Sequence, residues 1–185
     1  SLINQRKYIK SYNYIAKKEP YKNAISNDQL TFVVYGNYQP EATSAPEGDI
    51  NYNIIDSIVA IRHRFPDSTI IYKDHPGIQL YYQDVVLETR VGYCRSPLFL
   101  NTLRKLNCKF VPFDGGADLK DLDAVFVAIH GTIALQRGLN GKKTVILGYP
   151  TFKELPSIVN WSTFKKLDKK DILKLGNKSP QLAKD

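Results

Sequence analysis

Short runs of β-branched and aromatic residues alternate along the chain with longer segments whose apolar residues recur every three or four positions. The first pattern is typical of buried strands and the second of amphipathic helices. Their alternation predicts strands at 31–36, 68–74, 108–113, 121–129 and 142–148, and helices at 49–65, 96–107 and 131–139. Strands that alternate with helices form a mainly parallel sheet covered on both faces. We therefore expect an α/β, Rossmann-like domain.

The strand pattern occupies residues 30–152, which we assign to one domain, the default for 185 residues. Residues 1–29 are predicted to form a leading helix or linker. Residues 153–185 are predicted to form a basic, helical tail that packs on the domain or crosses to an amino-terminal domain. Because the chain begins with neither Met nor a signal peptide, we expect the protein to continue upstream of Ser1.

The composition is that of an ordinary globular protein with a positive net charge of +8. This charge favours an anionic partner, which could be nucleic acid, an anionic membrane surface or a phosphate-bearing substrate. Five lysines of the tail would form one side of a helix that is either solvated or lipid-facing: Lys165, Lys166, Lys169, Lys170 and Lys174. Cys94 and Cys108 stand apart from other metal-binding residues, so neither a zinc site nor a disulfide is indicated, and we expect a cytoplasmic protein without a metal or cofactor.

Polar and glycine-containing segments follow the predicted strands, whose carboxyl ends meet at one edge of a parallel sheet. After the fourth strand, Gly131 and Thr132 open a helix, so unpaired amides and the helix dipole would make an anion site. Gln136, one turn further along, could reach a ribose hydroxyl. A tight turn at Gly131 and a helix cap at Thr132 would explain the same residues without a ligand.

The second strand ends in a charged cluster followed by a His-Pro pair. Lys73 and His75 are alternate residues of a strand, so they should face the same side, where both suit a departing phosphate. Pro76 removes a backbone donor and ends the strand. An exposed histidine in a strand-end turn is the alternative interpretation.

The loop "YQPEATSAPEGD" after the first strand carries Gln39 and Glu41 on either side of Pro40. Both side chains could reach the same cleft, where a carboxylate accepts hydrogen bonds from a sugar or acts as a base. A plain entry into the next helix would use the same polar composition.

Three segments, "YQPEATSAPEGD", "IIYKDHPGI" and "AVFVAIHGTIALQRGLNGKKTVILGYPTF", occur in an order that resembles the bacterial capsule polysaccharide biosynthesis family. The resemblance covers residues 30–152, and the combination is far more specific than any one motif. Members of that family include Kdo transferases that use a CMP-activated sugar. The resemblance implies half of a GT-B fold, with this chain corresponding to the carboxy-terminal, nucleotide-binding domain.

The resemblance also implies roles for individual residues. It implies that His75 contacts the nucleotide phosphate, and we expect His75 and Glu41 to be catalytic. The nucleotide sugar is expected to contact Gln39, Lys73, His75, Gly131, Thr132 and Gln136. The implied activity is sugar transfer from a CMP- or UDP-linked donor to a glycan or glycolipid acceptor in bacterial surface polysaccharide synthesis. The expected location is the inner face of the cytoplasmic membrane, with peripheral contact through the basic tail.

Two residues depart from the family pattern. Asn37 stands where a histidine is common, and Gln136 stands where a glutamate is common. These departures leave open a non-catalytic module that binds sugar nucleotides, and the architecture leaves open a GT-B-fold UDP-sugar epimerase. A nucleic-acid-binding domain is compatible with the charge. We do not expect one, because the lysines concentrate in the tail instead of alternating with exposed aromatic residues.

Overall fold

The computed structural model describes residues 2–37, 53–80 and 95–175. Within these ranges the centre of the molecule is a six-stranded sheet in which every pairing is parallel. The strands are β1 (Thr31–Tyr35), β2 (Thr69–Lys73), β3 (Cys108–Phe110), β4 (Val125–Ala128), β5 (Thr144–Ile146) and β6 (Ile158–Asn160). Their order across the sheet is β3-β2-β1-β4-β5-β6, the order of Rossmann-type domains. The predicted α/β class with a parallel sheet is confirmed.

Helices precede, connect and follow the strands. They are α1 (Leu2–Lys18), α2 (Ile54–Arg64), α3 (Gly77–Leu80), α4 (Pro97–Lys105), α5 (Thr132–Leu139), α6 (Trp161–Phe164) and α7 (Lys169–Lys174), with 3₁₀ turns at Tyr21–Ala24 and Ala117–Asp121. Side-chain caps fix several starts: Asn53 accepts a hydrogen bond from the amide of Ile55, and Ser96 accepts one from Phe99. The helix predicted at 49–65 corresponds to α2, and residues 49–52 lie outside the described part of the chain.

Both faces of the sheet are buried, because successive strand residues point to opposite sides. On β1, Phe32 and Val34 join the larger core cluster, which also contains residues of α1, α2 and α4. Val33 joins a smaller cluster on the other face. Tyr8 and Tyr12 of α1 are fully buried in the larger cluster, so α1 is an integral part of the domain's core.

The segment assigned to a basic tail differs from the prediction of one helix. It contributes β6, which extends the sheet beyond residue 152, and then two short helices, α6 and α7. A three-residue strand is too short to produce a recognisable pattern in the sequence. Phe164 and Ile172 are buried in the core, while the five lysines named above are exposed. No helix in the described ranges is long and apolar enough to cross a membrane.

Candidate functional site

A cleft of about 250 Å³ lies at the carboxyl ends of β1, β2 and β4. The adjacent strands β1 and β4 mark the point where the strand order reverses, which is where ligands bind in sheets of this type. The lining residues are Tyr35, Gly36, Asn37, His75, Pro76, Ala128, Ile129, His130, Gly131, Thr132 and Ile133. The cleft therefore occupies the position expected of a ligand site in this fold.

The cleft brings together His75, Gly131 and Thr132, although 56 positions of sequence separate His75 from Gly131. Parallel pairing explains this convergence, since both β2 and β4 run alongside β1. Gln39 and Glu41, which were also predicted to reach the cleft, lie outside the described residues.

At the end of β2, two short hydrogen bonds hold His75. Its backbone amide donates to Asp74 Oδ1 at 2.9 Å, and its Nδ1 accepts from the amide of Gly77 at 3.0 Å. In a neutral imidazole this arrangement places the proton on Nε2, because Nδ1 is the acceptor. The N–H donor of the neutral His75 ring therefore lies on Nε2.

At the end of β4, Gly131 turns the chain directly into α5. Its φ of 115° lies in a region that favours glycine, although an added Cβ would meet no atom within 4 Å. The first intrahelical hydrogen bonds run from Ala134 and Leu135 to the carbonyl of Gly131. The amides of Thr132 and Ile133 precede those bonds, as in any helix start that can receive an anion.

His130 is a second imidazole that lines the cleft, and it was not among the predicted site residues. It is half-buried, and its ring lies 5.4 Å from that of Phe152. The available signal was its position directly between the buried run of β4 and Gly131. Two histidines from neighbouring parts of one sheet edge can therefore act on the same bound group.

At the end of β1, the cleft is lined by Tyr35, Gly36 and Asn37. The Tyr35 ring stacks on Phe126 with centroids 5.6 Å apart, and burial raises the pKa of Tyr35 to about 12. The backbone approaches closely at Gly36, where an added Cβ would lie 2.5 Å from Asp74 Oδ1. A side chain larger than hydrogen would therefore push β1 away from the Asp74 carboxylate.

Behind the cleft lies a buried polar network that we call the Asp74 cluster, formed by Tyr8, Tyr12, Tyr72, Asp74 and Arg95. Asp74 is completely buried and accepts hydrogen bonds from Tyr8 Oη at 2.5 Å and Tyr72 Oη at 3.0 Å. Tyr12 Oη accepts from the amide of Asp74 at 3.1 Å. Burial raises the pKa of all three tyrosines well above the ordinary value of 10.0, so they remain neutral donors.

Arg95 connects this cluster to the cleft. Its Nη2 donates to the carbonyl of Asn37 at 2.7 Å and to Asp74 Oδ1 at 3.3 Å, and its guanidinium lies 4.5 Å from the centre of the Phe99 ring. The Arg95 guanidinium thus hydrogen-bonds to residues at the carboxyl ends of both β1 and β2. Neither Asp74 nor Arg95 was predicted as a functional residue, because Arg95 and Tyr8 reach Asp74 from 21 and 66 positions away.

Two predicted site residues do not line the cleft. Lys73 Nζ donates instead to the carbonyls of Pro112 and Phe113, at 2.7 and 3.0 Å, beyond the end of β3. Burial lowers the pKa of Lys73, while Asp114 and Asp74 oppose that shift. Gln136 is exposed on α5. Among the described lining residues there is no lysine or arginine, so positive potential comes from the start of α5.

In the described ranges, no group of three or more His, Cys, Asp or Glu side chains is arranged to hold a metal ion. The described cleft offers neutral hydrogen-bond donors, which suit an anionic or hydroxylated organic ligand better than a cation. No family model matches the chain, and no curated protein matches its sequence.

Proposed function

We propose that this chain is the donor-binding half of a glycosyltransferase, which takes a sugar from a nucleotide sugar in bacterial surface polysaccharide synthesis. The observation that carries the proposal is that His75, His130 and the start of α5 share one cleft at the reversal point of a Rossmann-type sheet. The order of the motifs supports the sugar-transfer chemistry. A CMP-linked donor, Kdo included, is the first candidate.

Transfer breaks the bond between the anomeric carbon and the phosphate oxygen of the donor, while the acceptor hydroxyl forms the new bond. Negative charge grows on the departing phosphate, so fixed donors aimed at that oxygen stabilise the transition state. The Nε2–H group of His75 and the first amides of α5 are such donors. They need little reorganisation during the reaction, since the Gly77 amide holds the ring and two hydrogen bonds to the carbonyl of Gly131 hold the start of α5.

Other residues have more limited roles in the proposal. Glu41 is the proposed base or sugar contact, and Gln39 lines the sugar side; both stand on the motif alone. Lys73 would support the phosphate only through its field, because its ammonium is engaged by two carbonyls. The glycan or glycolipid acceptor would bind on a second domain, as in other GT-B enzymes.

The test is a titration of the chain with CMP, UMP, UDP and AMP, followed by NMR chemical shifts. We expect weak binding of a pyrimidine nucleotide, in the micromolar to millimolar range of a site with one open wall. His75→Ala should weaken it by about tenfold or more, since it removes a hydrogen bond to a charged group. His63→Ala is the matched control, because His63 is exposed on α2.

The outcomes separate the alternatives. Shifts absent for every nucleotide would contradict the proposal, and shifts unaffected by His75→Ala would move the site away from this cleft. Salt-sensitive binding to random oligonucleotides would instead support a nucleic-acid-binding domain. Sugar transfer by the chain alone would show that the acceptor site is also present in it.

Peripheral contact with the inner face of the cytoplasmic membrane is part of the proposal. The exposed lysines around α6 and α7 would face anionic lipid headgroups. Co-sedimentation with vesicles tests this, and we expect binding that requires anionic lipid and that falls as salt is added. Equal binding to neutral vesicles would contradict an electrostatic contact.

A further inference from the structure

The side chain of Asn37 is unusual among the residues of the cleft. Both of its polar atoms, Nδ2 and Oδ1, are buried and have no hydrogen-bond partner among the described residues, although Asn37 lines the cleft. Its backbone is firmly placed, because the carbonyl accepts from Arg95 at 2.7 Å. Buried amide groups are nearly always paired in folded proteins, since leaving them unpaired destabilises the fold. A bound ligand is the natural partner for both atoms.

A carboxamide makes specific demands on that partner, because it has one acceptor oxygen and an NH₂ donor. Phosphate and carboxylate oxygens only accept, so they would leave Oδ1 unpaired. Ammonium and guanidinium groups only donate, so they would leave Nδ2 unpaired. Two neighbouring hydroxyl groups satisfy both atoms, one by donating to Oδ1 and the other by accepting from Nδ2.

We infer that Asn37 recognises a pair of vicinal hydroxyl groups on the bound ligand and so selects a ribose or another sugar at the end of β1. The inference rests on the proposed function and deepens it. Anion-binding groups come from β2 and α5, whereas β1 contributes a neutral group that distinguishes hydroxylated ligands. Asn37 thereby takes the hydroxyl-binding role predicted for Gln136, which is exposed and does not line the cleft.

The first experiment compares CMP with its 2′-deoxy analogue, and ribose 5-phosphate with 2-deoxyribose 5-phosphate, by calorimetry on the same chain. Wild type should bind each hydroxylated probe about tenfold more tightly than its deoxy partner, as expected for loss of a well-formed hydrogen bond. Asn37→Ala should bind both members of each pair equally. Gln136→Ala should keep the wild-type preference.

A second experiment shows whether the recognised hydroxyl groups belong to the ribose or to the donor sugar. If they belong to the donor sugar instead of the ribose, wild type will treat CMP and 2′-deoxy-CMP alike. It will then bind a CMP-sugar more tightly than CMP, and Asn37→Ala will remove that difference. Either pattern supports the inference, because in both cases the preference for hydroxyl groups disappears with the amide.

Thermal unfolding distinguishes a ligand contact from a structural role. Because the side-chain amide of Asn37 has no partner in the described part of the chain, its removal should leave the melting temperature unchanged or raise it. A loss of stability together with unchanged ligand preference would overturn the inference. So would a hydroxyl preference that persists in Asn37→Ala.

These results are separable from those for the proposed function. Nucleotide binding with a preference that Asn37→Ala retains overturns the inference alone. Binding of ribose 5-phosphate that depends on Asn37, without binding of any nucleotide, overturns the proposed function alone. Wild type that binds none of the probes overturns both.

Discussion

Asp74 and His75 are adjacent in sequence, yet they belong to regions of opposite character. Asp74 is completely buried, and its carboxylate accepts hydrogen bonds from two tyrosines, the His75 amide and Arg95. His75 lines a cleft that also contains Asn37, whose side-chain amide is not paired with any described residue. At this edge of the sheet, a network of hydrogen-bonded side chains thus lies directly behind a cleft whose described lining includes polar atoms without a hydrogen-bond partner.

The difference separates stability from binding. The Asp74 cluster is largely paired, with only Arg95 Nε left without a partner among the described residues, and such a network contributes to the fold, whereas unpaired polar groups reduce stability. A ligand that forms hydrogen bonds with these polar groups would explain why they occur at the reversal point of the sheet. Arg95 joins the two regions, so the geometry of the cleft depends on the cluster behind it.

Removing the Asp74 carboxylate should have the largest effect on the molecule. Asp74→Ala leaves the buried Arg95 without its anionic partner and deprives Tyr8 and Tyr72 of their acceptor. We expect the free energy of unfolding to fall by ~3–5 kcal/mol, the usual cost of breaking a buried pair. Urea denaturation measures this change.

The matched control is Asp123→Ala. The Asp123 carboxylate also pairs with a cation, Lys143 at 3.1 Å, but its side chain is 89% exposed. The loss should therefore stay below ~1 kcal/mol, as for other surface pairs. Equal effects of the two substitutions would show that the Asp74 cluster does not stabilise the fold.

The two regions also differ in how far the sequence predicts them. The convergence of His75, Gly131 and Thr132 is predictable, because each follows a strand of one parallel sheet. The Asp74 cluster is not, because Tyr8 and Tyr12 reach it from a helix more than 60 positions away. The alternation of residues along a strand predicts the face of the sheet to which a side chain points. It does not predict where the polar end of a long side chain lies.

Lys73 and β6 illustrate that limit. Lys73 was expected in the cleft, and its four-carbon side chain instead reaches carbonyls beyond the neighbouring β3. The length of β6, three residues, gave no periodic signal. The contacts of Lys73 depend on packing between residues distant in sequence, and β6 is too short to be recognised. Neither feature can be predicted from the neighbouring sequence alone.

Alkaline pH should destabilise the cluster in a way that follows from its tyrosines. Burial raises the pKa of Tyr8, Tyr12 and Tyr72 above 10.0, so the unfolded chain releases their protons first. The stabilisation is therefore complete below pH 10 and is lost as the pH rises towards the folded values. Each tyrosine contributes a slope of up to ~1.4 kcal/mol per pH unit above 10.

Urea denaturation between pH 8 and 11 tests this expectation. Lys73 acts in the opposite sense, because its lowered pKa lets stability grow as the pH approaches 10.5, but three tyrosines outweigh one lysine. Tyr8→Phe should be less stable at pH 8 and show a shallower decline above pH 10. Tyr14→Phe, at a 66% exposed position of the same helix, should leave the slope unchanged. A wild-type stability that is flat above pH 10 would contradict the cluster's burial.

Substitution of Gly131 tests how much the turn at the cleft contributes to the free energy of unfolding. Gly131→Ala has space for its methyl group but must adopt a φ of 115°, so we expect a loss of ~1–3 kcal/mol in the free energy of unfolding. Gly115→Ala is the control, because its Cβ would make an ordinary 3.4 Å contact with Pro112 and no positive φ is required. If the two variants were equally stable, the turn at Gly131 would not require glycine.

The smallest expected effect on stability is that of Tyr35→Phe, which we compare with Tyr72→Phe because each substitution removes one hydroxyl group. Tyr72 and Tyr35 lie on neighbouring strands, where Tyr35 pairs in register with Lys73. Tyr72→Phe removes a hydrogen bond to the Asp74 carboxylate, so it should destabilise the fold by ~1.5–3 kcal/mol. Tyr35→Phe keeps the stacking on Phe126 and should change the stability by less than ~0.5 kcal/mol. Because Tyr35 lines the cleft, its substitution should instead weaken nucleotide binding, as measured by the NMR titration described above. Comparable losses of stability in both variants would show that the cleft, like the cluster, serves mainly to hold the sheet together.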